Sequence, residues 1–428
     1  MKSKREIFGW AMFDFANSAY TTNVVTVIFC NYFTQGVVPD GSSANTYWGF
    51  GNTLSNLLII LTAPIIGAIA DFSSCRKRFL VISCLLCVVT TAGLFFAVPG
   101  AVKLALLFFV VSNYFFLVSE ALCSSFLPDL AEPHEVGRIS GFGWSLGYLG
   151  GLLGLVLCFP LISKGGFGAD NSWNLRLTNL VTAGLFLVAA TPTFLFLKEH
   201  AHGRVLPPGK TYVGIGFERV KETLSNLRQL ADLSLFLVVF FLTSVALMTV
   251  FSFSSIYAAQ EMGFQTSDLL MLFICLQLSA ALGAFAFGFL QDRIGLKINF
   301  QALLIAWGIL LIAVYATHSV KIFWVLVLVL GTLLGSVQSA ARGITAMFAP
   351  PSKSAEIFGF WSLTYKLGGM IGPLLYGAIA DSRGHRIAML CVSLFFFAAF
   401  VVNLPVDIQR GRQAGMDFEK SLSKSSPS

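Results

Sequence analysis

Long apolar segments alternate with short polar connections over nearly the whole sequence. About twelve of these segments are long enough to cross a hydrocarbon core of ~30 Å as helices. They cover roughly residues 8–33, 47–70, 79–98, 104–126, 140–162, 175–197, 232–258, 268–290, 299–317, 322–348, 355–380 and 387–405. The pattern predicts an all-α membrane protein with twelve transmembrane helices.

Two copies of one motif indicate that the chain consists of two related halves. Residues 127–154 read LPDLAEPHEVGRISGFGWSLGYLGGLLG, and residues 349–372 read APPSKSAEIFGFWSLTYKLGGMIG. Counted from Trp144 and Trp361, eight of eleven aligned positions are identical if Lys366 is an insertion. We therefore predict two pseudo-symmetric six-helix bundles, at 1–197 and 232–405, and a disordered cytoplasmic tail at 406–428.

The polar linker at 198–231 is predicted to contain one amphipathic helix. Four apolar residues between 218 and 230 share a helical face beside basic residues, which is typical of a helix lying on the inner membrane surface. These apolar residues are Val220, Leu224, Leu227 and Leu230. The spacing around Gly209 and Lys210 does not match a nucleotide-binding loop, so no cofactor or metal site is predicted.

Composition and charge exclude several classes of protein. With 56% hydrophobic residues, 11% charged residues and a mean hydropathy of +0.78, the chain cannot be a soluble globule. Twenty Lys and Arg residues fall on one predicted side of the membrane and five on the other. This asymmetry places both termini in the cytoplasm and explains the net charge of +7 without nucleic acid. The absence of Asn-x-Ser/Thr sequences favours a bacterial inner membrane.

Polar residues within the predicted spans are candidate substrate- or proton-binding groups. Asp14, Asn17 and Ser18 cluster about 9 Å from the inner boundary of the first span. A charge at membrane depth costs about 2.5–3.5 kcal/mol, so Asp14 should face protein or water, or form a structural hydrogen bond between helices. Lys366, near the middle of the eleventh span, needs an anionic partner unless it snorkels or is paired structurally. Gln338 could add polar lining.

The second and eighth predicted spans end in the same way. The first of these ends reads GAIADFSSCRKR and the second reads GFLQDRIGLK. An acid at the end of one helix can lie against the positive N-terminus of a helix from the other half, while adjacent bases hold the turn at the membrane surface. Such a latch would break when the halves separate. Alternatively, the basic residues in these loops only set the orientation of the chain in the membrane. The candidate latch residues are Asp71, Arg76, Lys77, Asp292 and Arg293.

These two ends resemble the major facilitator superfamily pattern G-x-x-x-D-x-x-G-R-[RK], although the first copy has Ser73 and Ser74 and lacks the middle glycine. Within that superfamily, WAMFDFANSAY and the two repeated stretches resemble the vacuole effluxer family and its bacterial relatives. The resemblance covers nearly the whole chain. It implies a twelve-helix facilitator fold and, for fungal members, amino-acid export from the vacuole.

The repeat also pairs two charges. Glu120 lies eight residues before Pro128, and Arg342 lies eight residues before Pro350. In the fold that the resemblance implies, these two helices face each other across a central cavity. We expect Glu120 and Arg342 to approach when the inner side closes, unless each residue pairs within its own half.

Together these features predict a secondary transporter that moves a small zwitterionic or anionic solute by alternating access. The resemblance favours an amino acid as solute, and carboxylates such as Asp14 and Glu120 make a proton the candidate coupling ion. We expect a monomer in the lipid bilayer that binds a small molecule. An enzyme is not expected, because no Ser/His or paired-His arrangement lies at membrane depth. The alternatives are a non-transporting sensor or scaffold and a transporter of an unrelated metabolite or drug.

Overall fold

The computed structural model describes residues 3–39, 43–163, 165–200 and 206–425. Within these ranges the chain is helical and contains no strand. A helix satisfies its backbone hydrogen bonds internally, which suits it to the hydrocarbon region of a membrane. The α-helices are α1 (Lys4–Tyr20), α2 (Phe29–Tyr32), α3 (Ala44–Ser73), α4 (Arg76–Gly93), α5 (Val102–Ser124), α6 (Leu127–Leu130), α7 (Val136–Ile162), α8 (Ser172–Phe196), α9 (Tyr212–Ser225), α10 (Ala231–Met262), α11 (Thr266–Ile294), α12 (Leu296–Ala316), α13 (Val320–Phe348), α14 (Ser354–Arg383), α15 (His385–Asn403) and α16 (Ile408–Ser425).

Ten helical segments in the described ranges are long and apolar enough to cross a membrane. They contain α3, α4, α5, α7, α8, α10, α12, α13 and α15, together with Met271–Ile294 of α11. The two other predicted spans are also helical. Span 8–33 runs through α1, a π-helix at Thr21–Val27 and α2, and span 355–380 lies within α14.

The chain forms two compact units. The first contains Met1–Thr62, Cys75–Cys123 and Leu146–His200, and the second contains Ala63–Ser74, Ser124–Ser145 and Ala201–Ser428. In the first unit α8 packs against α1 and α4; in the second, α10 packs against α14, and α11 packs against α13. The predicted bundle at 1–197 includes residues 63–74 and 124–145, whereas the structure groups these segments with the second unit. The contacts described below, made by the end of α3 and the start of α7, explain this difference.

The repeated glycines form close helix contacts, as their spacing predicts. In the first unit, a Cβ atom at Gly150 of α7 would collide with the main chain of Phe15 in α1. In the second unit, a Cβ atom at Gly368 or Gly372 of α14 would also lie too close to the main chain of Val245 in α10. The equivalent glycines Gly150 and Gly368 therefore pack against the first long helix of each half, α1 and α10.

The prediction of a disordered tail is wrong for the described residues, since residues 408–425 form α16. The side chains of Phe418 and Leu422 are buried, and Gly411 and Gly415 allow α16 to approach Phe348. These four tail residues lie three or four positions apart and therefore share one helical face. Because the tail is polar overall, its composition does not reveal this narrow face.

The linker contains the predicted helix, α9, and a further face of this helix is buried against the rest of the chain. Leu224 and Leu227 are exposed, whereas Ile215, Arg219 and Thr223 are buried. Hydrogen bonds made by the two polar members of this face, described below, determine how α9 docks. Residues 201–205 of the predicted linker lie outside the described ranges.

Candidate functional site

The C-terminal end of α3 meets the first turn of α14 through Asp71. Its Oδ2 atom accepts a 2.9 Å hydrogen bond from the main-chain amide of Glu356. The first amides of a helix lack partners within the helix. A carboxylate at this position also interacts favourably with the helix dipole, by about 0.3–1 kcal/mol. Asp71 therefore caps α14, and we call this contact the first latch.

Glycines allow α3 and α14 to cross closely at the first latch. A Cβ atom at Gly67 would overlap the carbonyl group of Ala355, and one at Gly359 would lie 2.6 Å from the carbonyl oxygen of Ala63. Real Cβ atoms do not approach other atoms this closely. A larger side chain at either glycine would therefore push the two helices apart.

A second contact of the same kind joins the end of α11 to the first turn of α7. Asp292 accepts hydrogen bonds from the amides of Gly137 at 2.8 Å and Arg138 at 2.9 Å. The neighbouring Gln291 donates a 2.8 Å hydrogen bond to the Gly137 carbonyl oxygen. We call this group the second latch. Because Asp71 and Asp292 occupy equivalent repeat positions, the two latches are related by the internal repeat.

Arg342 of α13 extends the second latch by one further helical turn of α7. Its Nε atom donates to Ser140 Oγ at 3.1 Å, and an Nη atom donates to the Ser140 carbonyl oxygen at 2.9 Å. The guanidinium carbon lies 5.4 Å from the centroid of the Trp144 ring, within cation–π range. The Arg342 side chain is 2% exposed. The structure thus places this predicted substrate residue in contact with the start of α7.

The basic residues predicted beside the two acids have different surroundings. Arg76 is buried and forms an ion pair with Glu199 at 3.2 Å, while the amide of Lys77 donates to the same carboxylate at 3.0 Å. Glu199 therefore caps α4, within the first unit. Arg293 is exposed in the last turn of α11. Ser74 takes the place of the missing motif glycine and is the only non-glycine residue with positive φ, at 48°, in the described ranges.

A buried ionic cluster joins α9 to the first turn of α14. Lys353 and Glu356 are 0% exposed, and Lys353 Nζ lies 3.2 Å from Glu356 Oε2. Lys353 Nζ also donates to Thr223 Oγ1 at 2.9 Å, and Thr223 donates to Glu356. Arg219 donates to the Ser352 carbonyl oxygen at 2.7 Å. The cluster is adjacent to the first latch because Glu356 belongs to both.

The C-terminal helix α16 contacts the same segment. Glu419 accepts hydrogen bonds from the Ser352 amide at 3.0 Å and from its hydroxyl at 2.7 Å. Lys353 Nζ lies 5.6 Å from the Phe418 ring centroid. The other end of α16 is held by Arg410, which donates two 2.7 Å hydrogen bonds to Asp232. These bonds raise the pKa of the Arg410 guanidinium above its usual value.

The remaining predicted substrate or proton residues are distributed over both units. Asp14, Asn17 and Ser18 lie on α1 and Glu120 on α5, in the first unit. Asn17 is 5% exposed, and its Oδ1 atom accepts no hydrogen bond from a described residue. In the second unit, Gln338 is buried on α13, and Lys366 of α14 lies over the Tyr365 ring at 4.8 Å. Their roles, and the pairing of Glu120 with Arg342, remain predictions.

Sequence reasoning missed the partners that complete the latches. Glu356, Lys353 and Arg219 lie outside the apolar spans or at their ends, where charged residues are common. The spacing of Lys353 and Glu356, three residues apart before a predicted span, was an available signal of a local ion pair. No spacing could reveal that Ser140 receives Arg342, since 202 positions separate them.

Comparison with known proteins identifies the family. The model of the family described as "Vacuole effluxer Atg22 like" matches residues 41–416. The chain belongs to the vacuole effluxer family. It is 26% identical over 402 residues to the MFS-type transporter YxiO of Bacillus subtilis (strain 168), which covers 92% of this chain and 93% of YxiO. It is 25% identical to autophagy-related protein 22 of Saccharomyces cerevisiae (strain ATCC 204508 / S288c), over 74% of this chain and 69% of that protein.

Solved structures confirm the predicted fold class of this vacuole effluxer family member. The human organic anion transporter MFSD10 has a TM-score of 0.74 at 15% identity, over 94% of this chain and all of that one. The Escherichia coli fucose:proton symporter FucP has a TM-score of 0.70 at 14% identity, over 92% of this chain and 97% of that one. The chain is therefore a multi-pass membrane protein with the major facilitator fold, and its relatives are transporters.

Proposed function

We propose that this vacuole effluxer family member moves a small zwitterionic or anionic solute by alternating access, with an amino acid as the favoured substrate. The observation that carries the mechanism is the pair of latches. Each joins the end of a helix from one sequence half to the start of a helix from the other half, and each consists of a few polar contacts. Contacts of this size can break and re-form as the halves rock.

The latches lie at the end of the helices that the distribution of Lys and Arg assigns to the cytoplasm. Formation of both latches then corresponds to the state closed to the cytoplasm, and their loss to the state open to it. The bacterial relative supports an inner membrane location. The protein is proposed to act there as a monomer.

Substrate and proton binding are assigned to the polar residues of the predicted spans. Asp14, Asn17, Ser18 and Glu120 provide acceptors, and Gln338, Arg342 and Lys366 provide donors. Donors and acceptors together suit a zwitterion. Asp14 and Glu120 are the candidate proton carriers, because a carboxylate can exist in both a charged and a protonated form, whereas Arg342 stays protonated.

The test is a thermal-shift screen of the purified protein over amino acids and other small metabolites, followed by flux of each hit into proteoliposomes. Saturable flux of an amino acid that is lost in Lys366→Met would support the proposal. Flux that is insensitive to pH and to a protonophore would exclude proton coupling. Binding without flux of any hit would instead indicate a sensor.

A further inference from the structure

The helix α9 bridges the two sides of the first latch. The N-terminal half of α9 lies against α3: Gly216 approaches Ile65 and Ile69, and the Tyr212 ring lies 6.3 Å from that of Phe72. Further along the same helical face, Arg219 and Thr223 bind the start of α14. Since Asp71 joins the same two helices, α9 spans this latch directly.

The two attachments of α9 differ in chemistry. Its contact with α3 consists of small and apolar groups, whereas its contact with α14 is a buried network of charges. Removing one partner of a buried ion pair leaves an uncompensated charge, which is strongly unfavourable. The α14 attachment should therefore persist, and the α3 attachment should release when the first latch opens.

Helix α16 supports the α14 attachment from another direction. Glu419 binds Ser352, whose carbonyl oxygen receives Arg219, and Phe418 lies against Lys353. Both helices thus fix the segment that presents the Glu356 amide to Asp71.

The charged residues that flank the second latch are more exposed than those beside the first, although Gln291 within the second latch is buried. Arg138 and Glu135, which flank it, are 45% and 30% exposed, whereas Lys353 and Glu356 beside the first latch are fully buried. The internal repeat relates the two latches, but the linker and the tail cover only one of them.

We infer that α9 is a strap that holds the first latch closed, and that α16 strengthens the strap by fixing its α14 attachment. The inference rests on the proposed alternating access and adds a regulatory role for the linker and tail. It makes the two latches unequal, so that changes in α9 or α16 alter the balance between the two states of the transporter.

The experiment measures opening at the latch end of the full-length protein. Spin labels are placed at Arg78→Cys and Ile298→Cys, two exposed positions, after the native cysteines are replaced. Double electron–electron resonance in nanodiscs then gives the fraction of molecules with the longer distance. Asp71→Asn serves as the reference for an open first latch.

Two independent substitutions test the strap, each with a matched control on α9. Arg219→Met removes the guanidinium contacts of the α14 attachment, and Lys221→Met changes an exposed base two residues away. Gly216→Leu forces α9 away from Ile65 and Ile69, whereas Gly214→Leu adds the same side chain at an exposed position. We expect Arg219→Met and Gly216→Leu to raise the ratio of open to closed molecules about tenfold, and the controls to change it less than about twofold.

Helix α16 is tested by Glu419→Ala against the neighbouring exposed Lys420→Ala. We expect Glu419→Ala to raise the open fraction less than Arg219→Met does, and Lys420→Ala to leave it unchanged. If Asp71→Asn opens this end but Arg219→Met and Gly216→Leu behave like their controls, the strap is refuted and the latch proposal stands. If Asp71→Asn also leaves the distance unchanged, the proposed latch itself fails. Should Arg219→Met not fold, Gly216→Leu decides the outcome alone.

Discussion

The Asp71 carboxylate lies 2.9 Å from the amide nitrogen of Glu356, although 285 positions separate the two residues. Asp292 makes the equivalent contact with Gly137 and Arg138. A duplicated sequence has thus produced two reciprocal helix caps, each contributed by one half to the other. The physical requirement is the same at both: an unpartnered helix N-terminus needs an acceptor.

Neutralising either latch acid should favour the open state. Asp71→Asn and Asp292→Asn keep the shape of the side chain but remove the charge that the helix dipole stabilises, by about 0.3–1 kcal/mol and up to ~2 kcal/mol when partly buried. The open-to-closed ratio, measured by the label pair described above, should rise about 2- to 30-fold. Asp381→Asn, at an exposed position on α14, is the control. An unchanged ratio in both latch variants would exclude a gating role.

Arg342→Lys should destabilise the protein, because an ammonium cannot reproduce the two hydrogen bonds to Ser140 and the contact with Trp144. We expect a loss of about 1–3 kcal/mol in the free energy of unfolding, from denaturation in detergent. Ser140→Ala should cost less. If the two residues act through each other, the double variant should lose less than the two single variants added together.

Exchanging the charges of Glu120 and Arg342 tests their predicted pairing. Glu120→Arg and Arg342→Glu should each abolish flux of a substrate found by the thermal-shift screen. The double variant should recover part of it, because opposite charges again face each other. The recovery should be partial, since Ser140 loses its guanidinium donor in every variant that replaces Arg342. A double variant that transports no better than either single one would contradict the pair.

Ser74→Gly should stabilise the protein. Ser74 has φ of 48°, a conformation that costs a non-glycine residue about 1–2 kcal/mol, and its buried hydroxyl has no hydrogen-bond partner among the described residues. We expect a gain of about 1 kcal/mol, visible as a higher melting temperature. Ser73→Gly is the control: its hydroxyl donates to the Ile69 carbonyl oxygen, and glycine within α3 should lower stability by about 0.5–1 kcal/mol.

Gly150→Ala should be harmful where Gly184→Ala is not. A methyl group at Gly150 would meet the main chain of Phe15, which cannot move aside, whereas no atom lies within 4 Å of the equivalent point at Gly184. Overpacking should cost about 1–3 kcal/mol at the first position. Equal melting temperatures for the two variants would show that α1 and α7 separate without penalty.

The sequence by itself determined the helical membrane fold, the internal repeat, the close helix contacts at the repeated glycines and the two acids of the latches. Each of these features depends on residues that are close together in the sequence. A helix that crosses lipid needs a long apolar segment, close helix packing needs small residues, and a charged residue at the end of an apolar segment is easily recognised.

Only the tertiary structure decided which groups pair with the latch acids and with the charged residues around them. Glu356, Ser140 and Arg219 acquire their partners across more than a hundred positions, and polar residues near span ends carry no periodic signal. The tail illustrates the same limit. Its helix α16 packs against Phe348 through Gly411 and Gly415 and binds Ser352 through Glu419. Without these tertiary contacts, its few apolar residues would not offset the entropy lost when the chain is ordered.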